Sequence, residues 1–375
     1  KGRMKLLIFI HSLSSGGAER VASSFANYWV ERGWAVTIVT ITSREHDFYL
    51  LHPEVRRTAL ELESNSSSAL AALYHNFRRV FALRRVLFQE KPDVALGMMA
   101  TASILLALAA KGTGIPAIGG ERTYPPMLPL GRIWEFLRRK SYAHLSAVVA
   151  QTETTSRWLQ DNVDLAKVVV IPNPVSYPLI AHEPKVSPET GKLEGSCRHV
   201  LLAAGRLGPE KQFDRLLNAF AELAPRLSDW CLVIVGEGTE RPALEKQIVS
   251  LGLEGRVKLP GVVGNISEWY KAADLYVMTS RFEGFPNTLL EAMSHGVAAV
   301  SVDCETGPRE ILRHEIDGLL IPQDDPHALV LALARLMTNE PLRYRYAARA
   351  AEVRDRFSLT RVAGQWEELF AAVQK

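Results

Sequence analysis

Cysteine is scarce in this chain: 375 residues hold three (Cys197, Cys231 and Cys304), far apart and with no CxxC pair. That usage implies neither a disulfide framework nor a zinc site, and it fits a reducing compartment. Long apolar runs are missing too. The run that includes Ile8–Ile10 stops at His11, and Ala100–Ala110 is again too short for a signal or a membrane span. Low-complexity stretches are absent, and the only repetition is one of architecture. A large charge imbalance is also lacking, since the formal net charge is +3.

What is present is the composition of a globular protein, 47% hydrophobic and 23% charged, on a chain long enough for two domains of comparable size. The small net charge is unevenly spread. Residues 1–175 hold 21 Lys and Arg against 14 Asp and Glu, and the remainder holds 23 against 27. A basic first half and an acidic second half suit different partners.

Short apolar runs at Lys5–Ile10, Ala35–Ile41, Val94–Gly97, Pro116–Gly119 and Ala147–Ala150 read as buried parallel strands. Helical patterns lie between them at Ala18–Glu31, Ala69–Gln89, Ala100–Ala110, Arg132–Ala143 and Thr154–Asp161. This alternation predicts a doubly wound sheet. Five prolines between Ile171 and Gly195, in a polar stretch without periodicity, read as an interdomain linker. A second series follows, with strands at Val200–Ala204, Leu232–Val235, Val257–Leu259, Leu275–Met278 and Ala298–Val302. Its helices are expected at Phe213–Leu223, Arg241–Ser250, Ser267–Ala272, Asn287–His295, Ala328–Met337, Leu342–Arg354 and Leu359–Val373. Two such domains are expected to face each other across a deep cleft lined by strand C-termini.

Several strand-end loops have phosphate-binding character. Gly16-Gly17 lies between a strand and a helix, where bare backbone amides and the helix dipole favour an anion. It lacks the spacing of a dinucleotide fingerprint or a Walker loop. Gly205-Arg206-Leu207-Gly208-Pro209-Glu210-Lys211 sets two cations five apart, with reach to one diphosphate. The alternative there is a solvated loop in which a cation pairs with Glu210. Val235-Gly236-Glu237-Gly238 forms a further turn. In Ser280–Gly296, Pro286 suits the first turn of a helix, whose free amides attract an anion. Glu283 precedes that anion site and Glu291 follows it about two turns along the helix. Carboxylates accept from hydroxyls rather than bind phosphate, and a nucleotide sugar has hydroxyls on either side of its phosphates. The bland alternative is a helix with a solvated glutamate at each end.

SGGAER (15–20), GRLGPEK (205–211), VGEG (235–238), RFEGFPNTLLEAM (281–293), TGPREIL (306–312) and DGLL (317–320) occur in that order. With this order the chain resembles the retaining glycosyltransferases of family 4 over nearly its whole length, more specifically in its second half. The resemblance implies the GT-B fold, an α/β architecture of two Rossmann-like doubly wound domains. Residues 1–175 would form the acceptor domain, with a C-terminal helix at 358–375 packing back on it, and 176–357 the donor domain. It implies that Glu283 bonds hydroxyls of the donor sugar, among backbone groups of Gly284, Phe285, Pro286, Asn287, Thr288 and Leu289. Glu291 would accept from ribose hydroxyls, and Arg206 and Lys211 would clamp the diphosphate. Gly16 and Gly17 would approach it from the other domain. Gly236, Glu237, Pro260, Gly261 and Val262 would line the nucleotide pocket, the last three reading the uracil edge. His295-Gly296-Val297 and Asp303-Cys304-Glu305 depart from the commoner pattern without removing any of these residues.

No Asp-x-Asp pair, the usual holder of a divalent ion in metal-dependent transferases, occurs in the chain. Arg206, Lys211 and the helix N-terminus near 286–288 offer preorganised positive charge instead, so metal-independent transfer from a UDP-sugar, with no cofactor, is expected. The acceptor is expected to be a glycan or a lipid-linked sugar. The first half carries Arg78-Arg79, Arg84-Arg85, an apolar loop at Tyr124–Leu130, and Trp134 with Arg138-Arg139-Lys140. This suits peripheral contact with an anionic membrane, at the cytoplasmic face, and no motif for nucleic acid accompanies it. A UDP-sugar epimerase, a dinucleotide-dependent oxidoreductase and a non-catalytic nucleotide-sugar sensor are the competing readings. Acceptor-dependent release of UDP would separate them.

Overall fold

The computed structural model describes residues 3–63, 69–191 and 197–374. The chain divides into two compact units, Lys1–Pro174 with Leu359–Lys375, and Val175–Ser358. In the first unit the strands are β1 (Lys5–Ile10), β2 (Ala35–Thr40), β3 (Arg56–Ala59), β4 (Val94–Met98), β5 (Ala117–Gly120), β6 (Ala147–Ala150) and β7 (Val168–Val170). They pair in the order β3-β2-β1-β4-β5-β6-β7, every pair parallel. The helices of this unit are α1 (Gly17–Glu31), α2 (Ala69–Glu90), α3 (Ala100–Ala110), α4 (Arg132–Ser141) and α5 (Glu153–Asn162).

The second unit begins with the short α6 (Pro188–Gly191). It continues with β8 (His199–Ala204), α7 (Phe213–Leu223), β9 (Trp230–Val235), α8 (Arg241–Ser250), β10 (Val257–Gly261) and α9 (Ile266–Ala272). Next come β11 (Leu275–Met278), α10 (Asn287–Ser294), β12 (Ala299–Val302), α11 (Pro308–Ile311) and β13 (Gly318–Ile321). The helices α12 (Pro326–Thr338), α13 (Glu340–Ala350) and α14 (Val353–Arg356) close the unit, and α15 (Leu359–Val373) belongs to the first. Strand order is β10-β9-β8-β11-β12-β13, again all parallel. Both sheets therefore reverse direction once, between β1 and β4 and between β8 and β11. Ligands of such sheets bind outside the strand C-termini at these reversals.

The central strands are buried on both faces, as in β1, where Leu6 to Ile10 are all inaccessible. Helix α15 lays Val362, Trp366 and Phe370 into the first core, with Trp366 edge-on to Phe25 and Phe370 edge-on to Trp29. Helix α3 is apolar all round and almost wholly buried against the sheet, with α2 and α4 both packed on it. Among the described residues, no helix is long and apolar enough to cross a membrane.

Four features differ from the sequence reading. Strands β3, β7 and β13 and the short α11 escaped it. Arg56–Ala59 is an edge strand without apolar alternation, and the others have only three or four residues. The single helix expected over Leu342–Arg354 breaks into α13 and α14 at Ala351–Glu352. The proline-rich stretch from Val175 is no free linker: Val175 N bonds Phe357 O, Leu179 N bonds Ser267 Oγ and Val186 N bonds Asn265 Oδ1. Its backbone groups are satisfied by the second unit, which fixes it there. Residues 192–195 of that reading lie outside the described residues. Finally, Cys197 and Cys231 form a disulfide, with Cα atoms 5.7 Å apart. Spacing in sequence hid this, because β8 and β9 start side by side, with His199 opposite Trp230.

Candidate functional site

The loops after β8 and β11 flank the reversal point of the second sheet, and they carry Arg206, Lys211 and Glu283. After β8 the chain turns through Gly205 into a short 3₁₀ turn, Pro209–Lys211, and the left-handed Gln212 caps α7. Thr279 Oγ1 donates to the Lys211 carbonyl at 2.8 Å and Arg281 N donates to the Glu210 carbonyl at 2.8 Å. These two bonds tie the loops together. The Lys211 side chain runs beside Gly205, where a Cβ would crowd its Cε at 3.2 Å.

Lys211 Nζ meets Glu283 Oε1 at 2.6 Å, and Ser280 Oγ donates to the same oxygen at 2.6 Å. The Lys211 and Glu283 side chains are only 19% and 12% exposed, which sets this pair apart from a surface ion pair. The Thr306 hydroxyl donates to the Glu283 carbonyl, and Gly307 follows at φ +99°. A Cβ on Gly307 would meet Pro286 Cδ at 2.6 Å, so the Thr306-Gly307 turn shapes the Glu283–Pro286 loop from behind.

Pro286 is the N-cap of α10 rather than its first helical residue, and it offers no capping side chain. Phe285 and Leu289 are buried in the core, Phe285 edge-on to Phe357, so only their backbone atoms are placed to meet a ligand. Thr288 Oγ1 accepts from Tyr276 Oη at 2.8 Å. Glu291 is 4% exposed and its Oε2 accepts from Tyr270 Oη at 2.9 Å. The picture of a helix with solvated glutamates at its ends does not hold.

Arg206 takes the alternative that the sequence left open: its Nη2 lies 2.7 Å from Glu210 Oε1 and its side chain is 75% exposed. Burial, the largest single effect, pushes the Glu210 carboxyl up, but the Arg206 hydrogen bond, a backbone hydrogen bond and the charges of Arg206 and Lys211 together hold it below the ordinary carboxylate range. The β9 turn sits against this loop. Gly236 has φ +139°, and a Cβ there would lie 1.9 Å from the Gly205 carbonyl oxygen. Gly236 N donates to Gly261 O at 2.9 Å, joining the turn to the end of β10. Glu237 is held by Arg241 at 2.8 Å, and that bond lowers its pKa.

Thus Arg206, Lys211, Gly236, Glu237, Pro260, Gly261, Val262, Glu283 to Leu289 and Glu291 all sit at the strand ends of one unit, in the loops that follow them or on α10. Gly16 and Gly17 lie in the other unit, where Gly16 is the N-cap of α1 and Gly17 its first residue. Tyr49 Oη donates to Gly16 O at 3.0 Å, and the Glu19 carboxylate packs where a Gly16 Cβ would be. Burial raises the Glu19 pKa. In the Gly119–Arg122 segment, Glu121 is buried and accepts from Tyr142 Oη at 2.5 Å beside Arg138. Sequence reasoning missed Tyr270, Tyr276, Ser280 and Thr306, which hold the two glutamates and their loop. Ser280, three residues before Glu283, and Thr306, the first residue of TGPREIL, left a signal in the sequence.

Two family models match. One, described as Glycosyl transferases group 1, covers residues 192–353, and one described as Glycosyltransferase Family 4 covers residues 15–177. The chain is 38% identical over 229 residues, 60% of its length, to an exopolysaccharide phosphotransferase of Streptomyces coelicolor, and that match spans 23% of the relative. It is 29% identical, over 99% of both chains, to a Campylobacter jejuni α-1,4-N-acetyl-D-galactosaminyltransferase named for an acceptor on diphospho-undecaprenol. Among solved structures, Anabaena HepE in complex with UDP and glucose superposes with a TM-score of 0.80 at 20% identity, covering 98% of this chain and 100% of that one. These likenesses establish the GT-B fold and the glycosyltransferase class.

Proposed function

The chain belongs to glycosyltransferase family 4, and from that premise we propose that it moves a hexose or N-acetylhexosamine from a UDP-sugar to a glycan or lipid-linked acceptor. We read the transfer as retaining and metal-independent, in the building of a polysaccharide or glycolipid at the cytoplasmic face of an anionic membrane. The observation that carries the reading is the shielded Lys211–Glu283 pair at the sheet reversal, 2.6 Å apart and next to the start of α10. HepE has been solved with UDP and glucose, and the Campylobacter relative is named for a lipid-diphosphate acceptor. Both support the donor and acceptor classes chosen here.

In this mechanism the incoming diphosphate draws the Lys211 ammonium from Glu283, and the freed carboxylate accepts a sugar hydroxyl. Arg206 swings from Glu210 to the same diphosphate by its fork of N–H groups. The first-turn amides of α10 face the phosphate oxygens, and Glu291, oriented by Tyr270, accepts from the ribose. The bond between the anomeric carbon and the phosphate oxygen breaks while one to the acceptor oxygen forms on the same face. The acceptor proton passes to the departing phosphate oxygen, so no protein base is needed. Lys211, Arg206 and the helix dipole stabilise the charge that develops on UDP.

The test is transfer from a panel of UDP-sugars in the presence of a chelator, followed by UDP release and product anomer. Glu283→Ala and Lys211→Ala are each expected to lower turnover by on the order of 100-fold or more with the fold intact. Near-wild-type turnover in both variants sinks the site assignment. Abolition by chelator sinks metal independence, and UDP release that ignores acceptor sinks transfer.

A further inference from the structure

Helix α2 has an outer face that no other described element covers. Leu73, Tyr74, Phe77, Phe81 and Phe88 stand exposed along it at helical spacing, Phe77 and Phe81 by 67% and 65%. The inner face, with Leu83, Val86 and Leu87, is buried in the core. An exposed aromatic stripe of this length is not what a solvated helix carries.

The cations on α2 divide by face. Arg79 turns in to the Leu62 carbonyl, and Arg84 reaches the Ala109 and Lys111 carbonyls at the end of α3. Arg78 and Arg85 are exposed among the aromatics, with the Arg78 guanidinium over the Tyr74 ring. No carboxylate occurs between Tyr74 and Gln89.

Helix α4, packed on α3 as α2 is, repeats the pattern. Ile133 (69%) and Phe136 (61%) are exposed beside Arg132 and Arg139, while Lys140 is paired with Asp164 at 3.1 Å. Its single acid, Glu135, is turned away to Leu130 N and Arg138. Arg138 itself, counted from sequence in the basic cluster suited to a membrane, is instead buried against Glu121.

The geometry points to the outer faces of α2 and α4 as one docking surface for a bilayer rich in anionic headgroups. The aromatics enter the acyl boundary while Arg78, Arg85, Arg132 and Arg139 meet the phosphates. A second copy of the chain is a poorer occupant, because two faces bearing only cations repel. A nucleic acid would leave the aliphatic and phenyl groups unburied. The inference names the surface through which the proposed membrane association acts, and rests on that reading only for its biological purpose.

The experiment is co-sedimentation of the full chain with vesicles of phosphatidylcholine alone or mixed with phosphatidylglycerol at physiological salt. The same samples are assayed for transfer to a water-soluble acceptor. Wild type is expected to pellet with the anionic vesicles and much less with the neutral ones. The F77S/F81S double variant is expected to bind at least about tenfold more weakly, from the apolar burial it loses. R78E/R85E is expected to lose the preference for anionic lipid. Transfer to the soluble acceptor and the thermal midpoint are expected to stay unchanged in both variants. Wild type left in the supernatant, or F77S/F81S binding as well as wild type, overturns the surface. So does a wild-type dimer that F77S/F81S dissolves, since the face would then cover a second copy. If vesicle binding behaves as expected but no acceptor yields product, the surface stands and the transfer reading fails.

Discussion

At the scale of single residues, the two glutamates of the donor loops are distinguished by what holds them. Glu283 accepts from a cation and a hydroxyl on the same oxygen, whereas Glu291 accepts from Tyr270 inside the core. His295 extends the second arrangement. Its Nδ1 lies 2.7 Å from the Glu291 carbonyl, so it must donate there, which leaves Nε2 to accept from Ser267 Oγ at 2.9 Å. That tautomer is neutral and satisfied. Burial lowers the His295 pKa below 6.5, with Lys271 and Arg354 adding to it, although the Glu291 carbonyl and carboxylate oppose them. As pH falls through the unfolded value, the unfolded chain takes up a proton that the folded one refuses. Stability is therefore lost from about pH 6.5 downward until the lower folded value is reached. The expected outcome is a thermal midpoint that falls more steeply between about pH 7.5 and 5.5 in wild type than in His295→Gln. Parallel profiles would show that His295 titrates alike in both states.

At the scale of elements, the donor loops fit because glycine lets their backbones press together. Gly236 is the tightest case, since its missing Cβ is what admits the Gly205 carbonyl. Gly236→Ala is expected to cost about 1–3 kcal/mol of stability, and to weaken UDP binding as the β8 and β9 loops part. Gly255→Ala, with open space around its Cβ position, is the control expected to change neither. Denaturant melts and titration calorimetry with UDP decide it, and equal behaviour of the two variants would remove the turn from the site. Such packing explains what could be read in advance. Gly205, Gly236 and the short apolar central strands announce themselves by type and period, so the core of both sheets and the donor loops were legible. Arg56–Ala59 was not, because an edge strand with two arginines has no apolar face to betray it. Nor could spacing show that Arg206 rests on Glu210 or that Tyr270 holds Glu291. Those partnerships depend on loop and helix packing that brings distant or alternative partners together.

At the scale of the whole molecule, chain order and folding unit part company at the last helix. Leu359–Val373 follows the second unit in sequence yet completes the core of the first. The charge division follows the folded units: 23 Lys and Arg against 16 Asp and Glu in the first, and 21 against 25 in the second. The basic unit is the one with the exposed aromatic helices, and the acidic unit is the one with the shielded Lys211–Glu283 pair. The long-range closure makes the first unit depend on residues that follow the second in sequence. Val362, Trp366, Leu369 and Phe370 are each at most 4% exposed, and Glu367 accepts from Trp29 Nε1 at 2.9 Å. Burying such side chains contributes about 1.5–3 kcal/mol apiece. Losing all four removes an amount on the scale of a domain's entire stability, about 5–15 kcal/mol. A chain ended after Ser358 is therefore expected to lose the cooperative melting of the first unit, with Trp29 and Trp34 becoming solvent-exposed by fluorescence. The second unit, which keeps all its strands, is expected to melt as before and to retain UDP binding. Loss of both transitions would mean that the units fold as one, and survival of both would mean that α15 contributes little to the core it fills.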